Sequence, residues 1–177
     1  DVFAAGAGLP AAATQTETIG PAAPDRLAFT SAAKTATAGQ CSGPLTVEVR
    51  DGLGNAAPVA AVTPVSLSAS PAAGVALYAT PDCSGPSGGP ASVPAGSAAG
   101  TFSFRSTAAG ALDVTATAGG LVPATQTQTI LAAAPDRLVF TTPAQTVTAG
   151  VCSAAATIEA RDVYDNVAPV AALTSVT

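Results

Sequence analysis

The side chains that could carry chemistry in this chain are few, and they recur at matching places. There are three cysteines, Cys41, Cys83 and Cys152, a single lysine, Lys34, and no histidine. Acids and amides gather in two short stretches, Asp51 to Asn55 and Asp162 to Asn166. Cysteines can cross-link, ligate a soft metal or attack as thiolates, while Asp and Asn oxygens can hold a hard cation. Without histidine, a Ser/His or Cys/His relay is impossible within this stretch. Zinc is disfavoured for the same reason and because no two cysteines lie close together. No two carboxylates sit in a context that suggests a catalytic cleft. The chemistry on offer is cross-linking and turn-making, and no enzymatic activity is expected.

These residues are placed by elements that occur twice. Ala23-Pro24-Asp25-Arg26-Leu27-Ala28-Phe29-Thr30 returns as Ala134-Pro135-Asp136-Arg137-Leu138-Val139-Phe140-Thr141, 111 residues later. Each copy follows a Thr/Gln tract, Thr14 to Ile19 or Thr125 to Ile130, and precedes Thr-Ala-Gly-x-Cys-Ser, at Thr37 to Ser42 and Thr148 to Ser153. Between 14–66 and 125–177, 32 of 53 positions are identical without a gap. A tandem match of this length is the signature of a repeat array. Residues 20–131 are then one complete repeat, large enough for its own core. Residues 1–19 correspond to the closing strands of a preceding repeat and 132–177 to the opening strands of the next, so the chain reads as an excerpt of an array.

The repeat gives the cysteines meaning. Cys41 and Cys152 are equivalent, and the equivalent of Cys83 would fall beyond Thr177. Two cysteines per repeat predict a Cys41–Cys83 disulfide, closing a loop of about 43 residues and stabilising by roughly 4 kcal/mol in the chain-entropy model. A bridge of this kind points to an oxidising, extracytoplasmic location. The alternative is a pair of buried free thiols. Asp51, Asn55, Asp162, Asp165 and Asn166 have two readings as well. They could ligate calcium, although their number falls short of the usual six to eight oxygens. Otherwise their side chains hydrogen-bond the turn backbone, and Asn and Asp tolerate its left-handed conformation. Arg26 and Arg137 are expected to pair with a nearby carboxylate such as Asp51 or Glu48.

Charged residues make up only 10% of the chain and the net charge is −5. This balance argues against nucleic acid and anionic membranes as partners. No apolar run approaches the roughly 20 residues of a membrane span; Asp1-Val2-Phe3 lacks the basic start of a leader, which carries no weight in an excerpt of an array. A surface of Thr, Ser, Ala and Gln repels its own copies weakly, which suits neighbouring repeats of one chain or identical chains packed in a fibre.

The local pattern is that of half-buried strands, with apolar and polar residues alternating at period two. Leu45, Val47 and Val49 oppose Thr46, Glu48 and Arg50; Val65, Leu67 and Ala69 oppose Ser66, Ser68 and Ser70. Phe102 and Phe104 oppose Ser103 and Arg105, and Leu112, Val114 and Ala116 oppose Asp113, Thr115 and Thr117. Gly and Pro clusters punctuate these runs, and no segment carries a helical stripe. Seven or eight short strands predict an all-β, two-sheet, Ig-like sandwich with Phe29, Phe102 and Phe104 anchoring its core. The Thr/Gln tracts read as edge or outward-facing strands. Proline and alanine between repeats predict a semi-rigid joint.

The order of motifs resembles a bacterial Ig-like repeat of the invasin/intimin type. It is carried by Pro24-Asp25-Arg26-Leu27, the Thr46 to Asn55 strand and turn, Val65-Ser66-Leu67-Ser68, Thr101-Phe102-Ser103-Phe104 and Gly110-Ala111-Leu112-Asp113-Val114-Thr115-Ala116. The resemblance implies a stalk or spacer in a bacterial surface or secreted protein, often an adhesin, and carries over no catalytic residue. Two departures stand out. The second copy, Asp162-Val163-Tyr164-Asp165-Asn166, lacks the turn glycine, and the cysteine pair is not general in the family. A fibre subunit that shares strands with its neighbours and a carbohydrate-binding module using Tyr78 and Tyr164 are the other readings. No Asn-x-Ser/Thr glycan acceptor is present.

Overall fold

A computed structural model describes residues 1–8 and 13–170. The chain is all-β: β1 (Val2–Ala4), β2 (Ala13–Gln15), β3 (Pro24–Phe29), β4 (Thr35–Thr37), β5 (Leu45–Asp51), β6 (Thr63–Ser70), β7 (Val75–Tyr78), β8 (Ala91–Val93), β9 (Ala99–Ser106), β10 (Gly110–Thr117), β11 (Ala124–Leu131), β12 (Arg137–Phe140) and β13 (Ile158–Arg161). Strands β3 to β11 build a sandwich of two sheets, β4-β11-β10-β6-β8 and β3-β5-β9-β7. Its nine strands exceed the expected seven or eight because β4 and β8, of three residues each, lie in stretches too short to show an alternation.

Period-two patterning becomes burial directly. In β5, Leu45, Val47 and Val49 have no exposed surface, while Thr46, Glu48 and Arg50 are half-buried. Phe102 and Phe104 of β9 face Val65, Val93, Leu112, Val114 and Ala116 in one continuous core. Phe29 meets Phe102 edge to face, with ring centroids 6.0 Å apart, the arrangement that the ring quadrupoles favour. Full burial of a phenylalanine contributes roughly 1.5–3 kcal/mol. Proline opens β3, an edge strand, where its missing N–H breaks no ladder bond. Ser103 departs from the expected alternation: it is fully buried beneath the loop that follows β7.

The second Thr/Gln tract is not an edge. β11 lies between β10 and the parallel strand β4. Its threonines face outward, but Gln126 is half-buried, and Gln128 and Ile130 are buried. The Gln128 Oε1 accepts the Lys34 N–H at 2.6 Å, and Gln126 Nε2 donates to the Ser31 carbonyl at 2.9 Å. Two inward amides thus strap the 31–34 loop to the sheet. Their polarity disguised an inward face as an outward one.

On either side of the sandwich lie two-stranded hairpins. β1 pairs with β2 through Val2↔Gln15, Phe3↔Thr14 and Ala4↔Ala13. The same register joins β10 to β11 at Val114↔Gln126, Thr115↔Thr125 and Ala116↔Ala124. β12 pairs with β13 from Arg137↔Arg161 to Phe140↔Ile158, as β3 pairs with β5 from Arg26↔Arg50 to Phe29↔Val47. The 16–19 stretch, expected to run as a strand, is outside β2. Its counterpart in β11 is held by β4, and β2 has no such neighbour among the described residues.

Candidate functional site

Cys41 and Cys83 are joined, with their Cα atoms 5.8 Å apart and a sequence separation of 42. The bridge ties the connection before β5 to the loop after β7, and both flank β9. Around it, the Cys83 N–H donates to Ser103 Oγ at 3.0 Å, and that hydroxyl donates to the Thr80 carbonyl at 2.7 Å. Ser42 completes the seam, its N–H donating to the Phe104 carbonyl and its Oγ accepting the Phe104 N–H. Buried Ser103 is therefore part of the cross-linked region, a role that its outward-reading position in the sequence concealed. Cys152 is an exposed free thiol.

The acidic turns are the second cluster. Asp51 closes β5 on its buried face, where the alternation would otherwise put a hydrophobic residue. Its Oδ1 accepts the N–H groups of Leu53 (3.0 Å) and Asn55 (2.8 Å), and its Oδ2 accepts Asn55 Nδ2 (3.0 Å) and the Ala22 N–H (2.9 Å). Asp162 repeats this: Oδ1 accepts from Tyr164 and Asn166, both 2.9 Å, and Oδ2 accepts from Asn166 Nδ2 and Ala133, both 2.8 Å. One carboxylate thus organises its own turn and also holds the segment that leads into its strand pair, β3-β5 for Asp51 and β12-β13 for Asp162.

Electrostatics follow from these donors. The Asn55 side-chain amide does most to bring the Asp51 carboxyl down to about 2; burial opposes it, and the N–H groups of Ala22, Asn55 and Leu53 assist. At Asp162 burial pushes upward, but Asn166, Ala133 and Tyr164 together hold the group below its ordinary value. The geometry suits Asp51, Asn55, Asp162 and Asn166 to turn-making more than to calcium, since N–H donors occupy the carboxylate oxygens. Among the described residues, no group of three or more Asp, Glu or Cys side chains is disposed to hold a metal.

Asp165 resolves the missing turn glycine. Gly54 has φ +92° and Asp165 has φ +73°, and each donates its N–H to the carbonyl of the turn's leading aspartate. The second turn is the same left-handed turn with a carboxylate added. That carboxylate lies 3.1 Å from Arg161 and 2.7 Å from Arg137, and the Arg161 contact does most to lower its pKa. The expected pairing of Arg26 with Asp51 or Glu48 does not form. Asp51 is saturated by N–H groups, Glu48 pairs with Arg50 at 2.8 Å, and Arg26 lies 3.7 Å from the adjacent Asp25. Arg137 instead reaches the exposed Asp165 and, at 3.6 Å, Asp136.

The second turn also touches the sandwich before it. Asn166 Nδ2 donates to the Thr107 carbonyl at 2.9 Å, and its Oδ1 accepts the Ala109 N–H at 2.8 Å. The Tyr164 ring covers Gly39, where an added methyl group would collide with the tyrosine hydroxyl. Tyr164 is consequently engaged at this contact, and Tyr78 lies half-buried in β7.

No family model matches the chain, and no curated protein matches it significantly. Among solved structures, domains 5–6 of the S-layer protein SbsC are 16% identical with a TM-score of 0.43, covering 85% of this chain and 67% of that one. A β-glycosidase from Bacteroides vulgatus is 16% identical with a TM-score of 0.47, over 62% of this chain. A glycosyl hydrolase family 2 member from Bacteroides cellulosilyticus is 19% identical with a TM-score of 0.46. The match spans only 14% of each of these two enzymes. At this level of likeness, nothing about the activity of those proteins transfers to this chain.

Proposed function

We propose that this chain is a non-catalytic segment of a tandem Ig-like repeat array, the stalk or shaft of a bacterial cell-surface or secreted protein. Residues 20–131 are its complete repeat, 1–19 close the repeat before, and 132–177 open the repeat after. The observation that carries this reading is the register of the flanking hairpins. Each pairs its strands as the corresponding strands of the central sandwich do. An internal disulfide suits an extracytoplasmic setting. The charge-poor, hydroxyl-rich exterior suits close neighbours in a row. In a linear array of this kind, stability is approximately the sum of unit and nearest-neighbour terms.

Electron microscopy of the full-length secreted protein tests the proposal. Beaded rods of constant spacing that project from a tip or an anchor are expected. Laterally fused filaments would replace the stalk with a fibre built from the same repeats. Single globules with no linear order would refute both.

A further inference from the structure

The two copies of the acidic turn have the same internal geometry and different surroundings. In the second copy Asn166 is saturated: one amide hydrogen goes to Asp162, the other to Thr107, and Oδ1 takes the Ala109 N–H. In the first copy the Asn55 side chain bonds only to Asp51 among the described residues, and the residue is exposed. Leu53, at the position of Tyr164, is 83% exposed, against 42% for the tyrosine. A lone exposed leucine means little by itself, but here its equivalent is seated on a neighbour. The receiving end is also duplicated. Gly39 (φ +80°) lies under Tyr164, whereas its equivalent Gly150 (φ +84°) would meet nothing within 4 Å of an added methyl. Each unit therefore has an apolar tip with an amide at one end and a glycine notch at the other.

We infer that Leu53 and Asn55 form a docking face for the glycine-notch end of a second unit of this same repeat, set immediately before the central sandwich. The inference rests on the tandem-array reading and names its joint. Leu53 covers a notch of the Gly39 type. The spare amide hydrogen and Oδ1 of Asn55 meet the carbonyl and N–H of a connection of the Thr107–Ala109 type. Two different surfaces meet, so the contact is heterologous and repeats without closing. Each joint is then fixed from both sides, by Ala22 on Asp51 and by Asn55 on the unit before.

The test duplicates residues 20–130 ahead of Gly20 in the full chain carrying Cys152→Ser and follows amide hydrogen exchange by NMR. In the original chain, Asn166→Ala speeds exchange at Ala109 roughly five- to tenfold, the effect of one net hydrogen bond, and Asn55→Ala affects only its own turn. In the duplicated chain, Asn55→Ala and Leu53→Ser each speed exchange at Ala109 of the inserted copy by a similar factor. Core amides of Val47 and Phe104 stay protected in both copies. An inserted Ala109 that exchanges at the unprotected rate, with both cores intact, overturns the docking face alone. Loss of core protection in the inserted copy refutes the tandem-array reading as well.

Discussion

Removing the internal cross-link should weaken the central sandwich more than any single surface change. The perturbation is Cys41→Ala with Cys83→Ala, compared with Cys152→Ala, which alters an exposed thiol outside the bridge. The bridge spans 42 residues of sequence. In the chain-entropy model a loop of that size withholds roughly 13 cal/mol/K from the unfolded chain, or about 4 kcal/mol at 25 °C. For a domain of about 110 residues, each kcal/mol moves Tm by about 4 °C, so the loss is about 15 °C. Urea unfolding followed by far-UV circular dichroism gives the free energy, since the chain has no tryptophan. The slope of the transition should also rise, because the uncrosslinked unfolded chain exposes more surface. Reducing the wild type should reproduce the double variant. A loss below about 1 kcal/mol with an unchanged slope would refute the reasoning, because the loop would then be equally restricted without its bridge.

Three further outcomes follow from the geometry. Phe104→Ala should cost about 3–5 kcal/mol in the same unfolding assay, whereas Phe140→Ala, at a position 70% exposed, should stay within about 0.5 kcal/mol. Gln128→Ala removes the acceptor of the Lys34 N–H and should destabilise by about 1–3 kcal/mol, with faster exchange at Lys34. Asp51 is held near 2 and Asp162 below its ordinary value. Depressed carboxylates contribute stability that is full above their unfolded pKa of 3.8 and lost as pH falls through the folded one. Unfolding midpoints should accordingly drop between about pH 4 and 2, and Asp51→Asn should flatten that drop.

Much of the architecture was legible because burial in a sheet is encoded one residue at a time. Leu45, Val47 and Val49, or Leu112, Val114 and Ala116, announce their face without help from distant residues. The duplicated Pro-Asp-Arg-Leu segment likewise fixed which strands correspond. What escaped reading depends on partners far away in sequence. Gln128 faces inward because the Lys34 N–H, 94 residues away, needs an acceptor. Ser103 is buried because the cross-linked loop folds over it. Asp165 stands in for glycine because Arg137 and Arg161 converge on its carboxylate. A signal for the first did exist: Gln126 and Gln128 keep the same parity as Ile130, which is a core residue.

A chain pulled from its two ends experiences the Cys41–Cys83 bridge as a short circuit. The force passes through the sulfurs, and the residues between them cannot be drawn out. At about 3.3–3.6 Å per extended residue, the 42 residues spanned by the bridge represent roughly 140–150 Å of slack kept out of reach in the central sandwich. A ruptured unit therefore lengthens by little more than half of what its full sequence would permit. In the proposed stalk, reach would stay bounded under shear.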